Sequence, residues 1–426
     1  VGSEMCIRDR HYEMEQEEHD VYPDDPDFDI NKARLVTTAP RICVRYECVP
    51  MRFIKHVYKI HTYAQDGRLF EGKTPVSAFL NSSYDGSFIA GLMELRYIQS
   101  LPVERIINYF ESHGFTLKKP TAHKLMEKAS SLFENLYKCI RQTALGDPYK
   151  AADETYYKIL VPEKNSKGKG VRKGYLWVVV GINTRMIYLL YDDGSRSEKV
   201  ILNELGGCKG IIQSDGYSPY RKLESDAYPH ITRIPCLQHI KRKFIDCGED
   251  EPDAKRIVEL INTLYQNEHK HKIGVDGWTV EQNLVHRKKY APDILGEIKD
   301  VLDDIEERGD LLPKSELKEA VTYLRNEWNA VVDIFNYGDT YLDNNIVERM
   351  NRYISLSRKN SLFFGSHKGA ERGAILYTIA LTCRMNKVNL FEYLTDVINR
   401  TAEWQPNTPL EKYRQLLPDR WEKAND

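Results

Sequence analysis

The sequence predicts an α/β protein: a mixed sheet flanked by helices, with a helical insertion and a helical N-terminal region carrying small β elements. Three observations predict it. Residues 150–192 hold three strand-like runs with no helix between them. From 196 to 247 helix and strand alternate, the order that builds a sheet covered by helices. Residues 248–338 then show almost pure helical periodicity.

The chain of 426 residues opens on "VGSEMCIRDR", which has no periodicity and no secretory pattern. "MCIRDR" resembles translated sequencing-adapter sequence. Residues 1–10 are therefore set aside as an artefact, and the true N-terminus is expected to be missing. Residues 11–29 hold nine acids and no Lys or Arg, so residues 1–40 are expected to be a disordered acidic lead. The net charge of −2 thus hides a balance of +7 over residues 30–426, compatible with nucleic acid but not diagnostic of it.

Residues 41–148 form the expected N-terminal region. "RICVRYECVPMRFIKHVYKIHTY" is rich in β-branched and aromatic residues with partial alternation, predicting short strands. "LPVERIINYFESHG" is an amphipathic helix ending at Gly114. "FTLKKPTAHKLMEKASSLFENLYKCI" starts a second helix, with Pro120 in its first turn. The pair resembles a helix-turn-helix, opening its second helix on Lys118 and Lys119; ordinary αα-hairpins with this pattern are commoner.

The expected core spans 149–247 and 339–370. "ADETYYKILVP", "YLWVVVGI" and "RMIYLLY" read as strands of an antiparallel meander. The basic loop "KNSKGKGVRKG" joins the first two. A helix near 196–205, the strand "GIIQSDGY", the strand "ITRIPC" and a helix opening at Leu237 follow. Three antiparallel strands and then helix, strand, helix, strand, helix is the order of a ribonuclease-H-like fold. Residues 371–426 are expected to be C-terminal helices and a polar tail.

"YLDNNIVERMNR", residues 341–352, is helical in pattern yet carries three Asn, each about 0.5 kcal/mol worse than Ala in a helix. Wound at about 100° per residue, Leu342, Ile346, Val347, Met350, Tyr353 and Ile354 fall on one half. Tyr341, Asn344, Asn345, Glu348, Asn351 and Arg352 fall on the other. A solvated face is better built from Lys, Glu and Gln, so this one is expected to make contacts. The alternative is an exposed face with a Glu348–Arg352 pair.

Two strand positions stand out against apolar neighbours. Asp153 begins the first strand, and Asp215, followed by Gly216, ends the fourth, which would lie beside the first. Two carboxylates side by side repel unless a cation neutralises them. Phosphodiester cleavage asks for such a pair, because two Mg²⁺ ions about 3.5–4 Å apart stabilise the attacking and leaving oxygens together. Glu348 is the candidate third acid, on a helix packed against the sheet. Alternatively, Asp153 caps a turn and Asp215 closes an Asx-turn.

Together "ADET", "LWVVVG", "IIQSDGYSPY", "CLQHIKRKF", "YLDNNIVERMNR" and "SRKNSLFFGSHKGAERGAILYTIALTCRMN" resemble the insertion-sequence-66 family of DDE transposases, from about residue 45 to 400. The resemblance implies a ribonuclease-H-like core using Asp153, Asp215 and Glu348 as catalytic and metal-binding residues, with two Mg²⁺ or Mn²⁺ ions. It implies cleavage at the ends of a mobile element and joining of the freed 3′-OH to target DNA. DNA, as element ends and target, is the expected partner, with a homo-oligomer on DNA and accessory proteins alongside. His239, Lys241, Arg242, Tyr341, Asn344, Asn345, Arg349, Arg352, Arg358 and Lys359 are the candidate DNA contacts. Phe363 and Phe364 are read as core.

The family's paired-Cys zinc segment has no full counterpart. Cys43 and Cys48 lack a second pair and Gln65 stands where a Cys is often found, so no structural zinc is expected. Cys236-x-x-His239 shows only two ligands, and is read as a core Cys beside a DNA-facing His. Scattered cysteines and no apolar run of about 18 residues point to a cytoplasmic, nucleoid-associated protein without a membrane span. A non-catalytic DNA-binding remnant and a cellular nuclease are the competing functions.

Overall fold

The computed structural model describes residues 51–65, 68–71, 77–79, 82–164, 168, 170–309, 311–405 and 407–423. The acidic lead, Cys43 and Cys48 and part of the basic loop lie outside them. A hairpin of β1 (Thr62–Gln65) and β2 (Arg68–Glu71) comes first. Four helices follow: α1 (Gly86–Tyr97), α2 (Val103–Ser112), α3 (Lys119–Leu132) and α4 (Glu134–Gly146). The sheet strands are β3 (Tyr149–Leu160), β4 (Val171–Gly181), β5 (Met186–Leu190), β6 (Gly210–Ser214) and β7 (Ile231–Pro235). Between them run α5 (Glu198–Leu205) and α6 (Ser218–Arg221). After the sheet come α7 (Leu237–Ile245), α8 (Pro252–Glu268), α9 (Val280–Arg308) and α10 (Glu316–Ile334). The chain closes with α11 (Asn345–Asn360), α12 (His367–Met385), α13 (Leu390–Thr401) and α14 (Leu410–Arg414).

The sheet order is β5-β4-β3-β6-β7. β3, β4 and β5 pair antiparallel, and β6 joins β3 in parallel, as does β7 to β6. The expected meander and the β3–β6 neighbourhood are therefore present. Leu176–Val180 of β4 are buried without alternation, because helices cover both faces. The edge strand β5 is closed by side chains: Thr382 and Thr378 hydroxyls accept the N–H groups of Ile187 and Leu189, while Tyr137 donates to the Leu189 carbonyl. Such partners blunt an edge that would otherwise pair with another chain. Gly210 opens β6 with φ +89°, and a Cβ there would lie 2.2 Å from the Pro148 carbonyl oxygen.

Three expectations are corrected. Residues 52–61 form no strand; Ile54, Val57 and Tyr58 are exposed there. β propensity without a partner strand does not make a strand. The helix expected over 115–140 is two, α3 and α4, meeting at buried Phe133. Just before the break, Ser130 and Ser131 hydroxyls both return to the Glu127 carbonyl, competing with the helical ladder. The helix expected from 341 begins at Asn345, so helical winding does not govern Tyr341–Asn344.

Helices α8–α10 share one apolar core with the sheet. Ile211, Ile234, Leu237 and Phe244 pack in the same cluster as Leu260, Ile298, Leu302 and Leu324. Among the described residues no helix is long and apolar enough to cross a membrane.

Candidate active site

Strand pairing brings two carboxylates to one end of the sheet. In the parallel pair β3–β6, Tyr149 lies beside Ile211, Lys150 beside Ile212 and Ala151 beside Gln213. Asp153 lies two residues farther along β3, and Asp215 immediately follows β6. An even step along a strand keeps the same face, so Asp153 shares the face of Ala151, and the charge of Asp215 reaches it.

Asp153 is tightly held. Its Oδ1 accepts the Glu154 backbone N–H at 2.8 Å, and its Oδ2 accepts Asn351 Nδ2 at 2.6 Å. Burial, and then the charges of Glu154 and Asp215, push its carboxyl up to about 7 in spite of those bonds. Glu154, one residue along and on the opposite face, is gripped by Arg196 and receives the Tyr220 hydroxyl at 3.4 Å.

Asp215 sits in a built turn. Its Oδ1 accepts the Tyr217 N–H at 3.1 Å, the Asx-turn that was the alternative role for this residue. Its carbonyl accepts Arg233 Nη2 at 2.8 Å, and the Gly216 N–H donates to the Tyr323 hydroxyl at 2.8 Å. A Cβ on Gly216 would lie 2.5 Å from that hydroxyl, so the residue is glycine for close approach. Arg233 is itself buried and ion-paired at 2.5 Å to Glu327, whose side chain is also fully buried. The turn is thus fixed from α10.

Helix α11 docks along β3 through a polar stripe. Asn344 donates to the Ala152 carbonyl at 3.1 Å, Asn351 to Asp153, and Arg358 to the Tyr156 carbonyl at 2.5 Å. The Arg358 guanidinium also lies 3.9 Å above the Tyr156 ring. Asn351 and Arg358 are seven apart on α11, two helical turns, and so share one face, while Asn344 reaches the same strand from just before the helix. Glu348, three before Asn351 on α11, neighbours that stripe. Its Oε1 is buried without a hydrogen-bond partner and lies 3.7 Å from His239 Nδ1, equally unpartnered. Among the described residues Arg352 has no ion pair with it.

The contact face expected on 341–352 is therefore divided. Asn344 is 1% exposed and Asn351 is buried; both amides are spent on β3, as is Arg358, which takes these groups away from solvent. Asn345, Arg349, Arg352 and Lys359 point outward. Tyr341 is exposed, stacked at 6.1 Å on Tyr149. On α7, Arg242 is exposed, while Lys241 and His239 are half-buried. Phe364 is core, but Phe363 is exposed. Lys118 and Lys119 of the helix pair are exposed, the latter bridged to Glu104 at 2.5 Å. Two contributors escaped sequence reasoning, Asn351 as partner of Asp153 and Glu154 as its charged neighbour. The seven-residue spacing of Asn351 and Arg358 was the available signal for the first.

A sequence model of the family described as "Transposase IS66 family" matches residues 81–372. Three curated relatives come from Sinorhizobium fredii. The uncharacterized protein y4jD is 25% identical over 78% of this chain and 65% of its own length. The uncharacterized protein y4hP is 23% identical over 93% of this chain and 76% of its length. For the uncharacterized protein y4qI the figures are 26%, 86% and 69%. The chain thus spans somewhat less than two thirds of the length of y4jD.

Proposed function

Because the chain belongs to the IS66 family of transposases, we propose that it is a ribonuclease-H-like DNA transposase in which Asp153, Asp215 and Glu348 carry divalent-metal-dependent cleavage and strand transfer. One observation supports this above the others: the paired strands β3 and β6 carry Asp153 and Asp215 to the same end of the sheet, close enough for the charge of one to act on the other, while polar contacts lay the helix of Glu348 along β3.

The donor set suits a hard cation. Asp153 is held up to about 7 by burial and like charges that a cation would relieve, and Glu348 Oε1 is a buried oxygen without a partner. Asp153, Asp215 and Glu348 would hold two Mg²⁺ or Mn²⁺ ions. When bound, such ions lower the pKa of an attacking water or 3′-OH and neutralise charge on the phosphate. The chain's own residues supply the rest. Asn351 orients the Asp153 carboxylate, and Arg233 and Tyr323 fix the backbone around Asp215. The outward Asn345, Arg349, Arg352 and Lys359 face the DNA backbone, where contacts set position and register rather than sequence. Element ends and target DNA are the substrates, brought together by a homo-oligomer with accessory proteins.

The test is cleavage of a fragment carrying the element's own ends, with Mg²⁺ or Mn²⁺. Asp153→Asn, Asp215→Asn and Glu348→Gln should each lower cleavage by on the order of 10²–10³-fold or more, leaving DNA binding in EDTA intact. Retained cleavage by Asp215→Asn removes the assignment. A wild-type chain that binds these ends but never cuts them is a DNA-binding remnant instead.

A further inference from the structure

Cys236-x-x-His239 offers two ligands in the sequence, and the fold supplies a third. Cys236 caps α7 and His239 is the third residue of that helix, so both project from one turn. Glu348 arrives from the first turn of α11. The ligand atoms of Cys236, His239 and Glu348 all lie within 4.8 Å of one another, the one such trio of His, Cys, Asp or Glu among the described residues. His239 Nδ1 and Glu348 Oε1 face each other at 3.7 Å, both buried and neither hydrogen-bonded. Buried polar atoms normally have partners, so two orphans side by side ask for a shared one. Around a tetrahedral ion with bonds of roughly 2.0–2.3 Å, neighbouring donors stand roughly 3.3–3.8 Å apart.

We propose that Cys236 Sγ, His239 Nδ1 and Glu348 Oε1 form a binding site for a zinc-like divalent transition ion, with the fourth position open. Sulfur and imidazole select such an ion over Mg²⁺, which prefers oxygen. The thiol gives its proton to solvent as the metal–sulfur bond forms. Support around the ligands is already built. Sγ accepts the Asn344 backbone N–H at 3.2 Å, and the Asn344 side chain is anchored on Ala152. Outer partners of this kind orient metal ligands. The site stands on its own donors. Its consequence alone rests on the proposed function: an ion here engages the Glu348 carboxylate and withdraws it from Asp153 and Asp215.

Cobalt tests the site. The reduced full chain, in a Cys43→Ser/Cys48→Ser background that removes those thiols, is titrated with Co²⁺ and its thiolate-to-cobalt absorption followed. One equivalent should saturate the band. Cys236→Ser should abolish it, and His239→Ala should weaken cobalt binding by about 10–100-fold or more. Circular dichroism checks folding. If Cys236→Ser is unfolded, Glu348→Gln, which keeps the thiol, must show the same weakening. No band, or a band unchanged in the folded variants, overturns the proposal. Zinc added to the Mg²⁺-dependent cleavage reaction then tests the consequence: with each protein read against its own zinc-free rate, zinc should inhibit wild type by a larger factor than His239→Ala. Stoichiometric cobalt binding without zinc inhibition leaves the site standing and counts against Glu348 in cleavage.

Discussion

Asp153 concentrates the tension of the site in one side chain. Burial and like charges push its carboxyl up to about 7 in the fold, from about 3.9 in an unfolded chain. Between those values the folded state holds a proton that the unfolded state has lost. Stability therefore falls as pH rises through that window, and the whole penalty is present above it. In the proposed function a divalent ion would do the proton's work of neutralising the pair. Mg²⁺ or Mn²⁺ should thus raise the melting temperature more at about pH 8 than at about pH 5.5. Asp153→Asn, which never charges, should be more stable than wild type at the higher pH without metal and should respond less to it. Scanning calorimetry at the two pH values decides: an equal metal increment at both would show that Asp153 is not neutralised by the ion. The positions of the acids were legible from short motifs, Asp153 in β3, Asp215 just after β6 and Glu348 in α11, because each interrupts an apolar strand or a helical pattern. Asn344 was less legible. It sits just before α11 begins, and only the tertiary position of Ala152 shows that its amide is spent inside.

At the scale of elements, two helices do separate jobs that sequence separates poorly. Helix α11 turns one stripe to β3 and another outward. Arg352 is on the outward one, so Arg352→Ala should weaken DNA binding at every sequence and reduce the slope of log K against log salt by about 1. Binding isotherms at several salt concentrations measure this, and an unchanged slope would take Arg352 off the DNA-facing surface. Helix α10 instead holds the floor of the site. Glu327 pairs with Arg233, which grips the Asp215 carbonyl and the Ser214 hydroxyl. Glu327→Ala leaves Arg233 with Glu224 as its remaining carboxylate, at 2.5 Å, and should cost about 1–3 kcal/mol of stability, read as a lower denaturant midpoint. A loss below about 1 kcal/mol, the range of an exposed pair, would mean that water reaches Arg233. The strands were the most legible elements, since runs such as Trp177–Val180 are buried on both faces and an unbroken stretch of β-branched and aromatic residues marks them plainly. The Arg233–Glu327 pair was invisible, because its members stand 94 residues apart and each looks like an ordinary surface charge.

For the whole molecule, the decisive feature is that the helical insertion does not have a core of its own. Ile234 of β7 and Leu237, Ile240 and Phe244 of α7 are buried in the same cluster as the apolar faces of α8, α9 and α10. At about 1.5–3 kcal/mol for each fully buried side chain, uncovering these four costs on the order of 6–12 kcal/mol. That is comparable to the net stability of a typical domain, about 5–15 kcal/mol. Periodicity marks residues 248–338 as helical but is silent on what a helix face covers, so the shared core was legible only in three dimensions. Excision follows as the test. A chain in which residues 248–338 are replaced by a short Gly/Ser linker should retain helical far-ultraviolet dichroism, lose near-ultraviolet dichroism and bind a hydrophobic dye, the signature of collapse without specific packing. It should also lose the contacts that Tyr323 and Glu327 make around Asp215, and with them cleavage. A shortened chain that melts cooperatively and keeps its near-ultraviolet signal would show that the sheet and its remaining helices fold without the insertion, and that the Asp215 turn needs no support from α10.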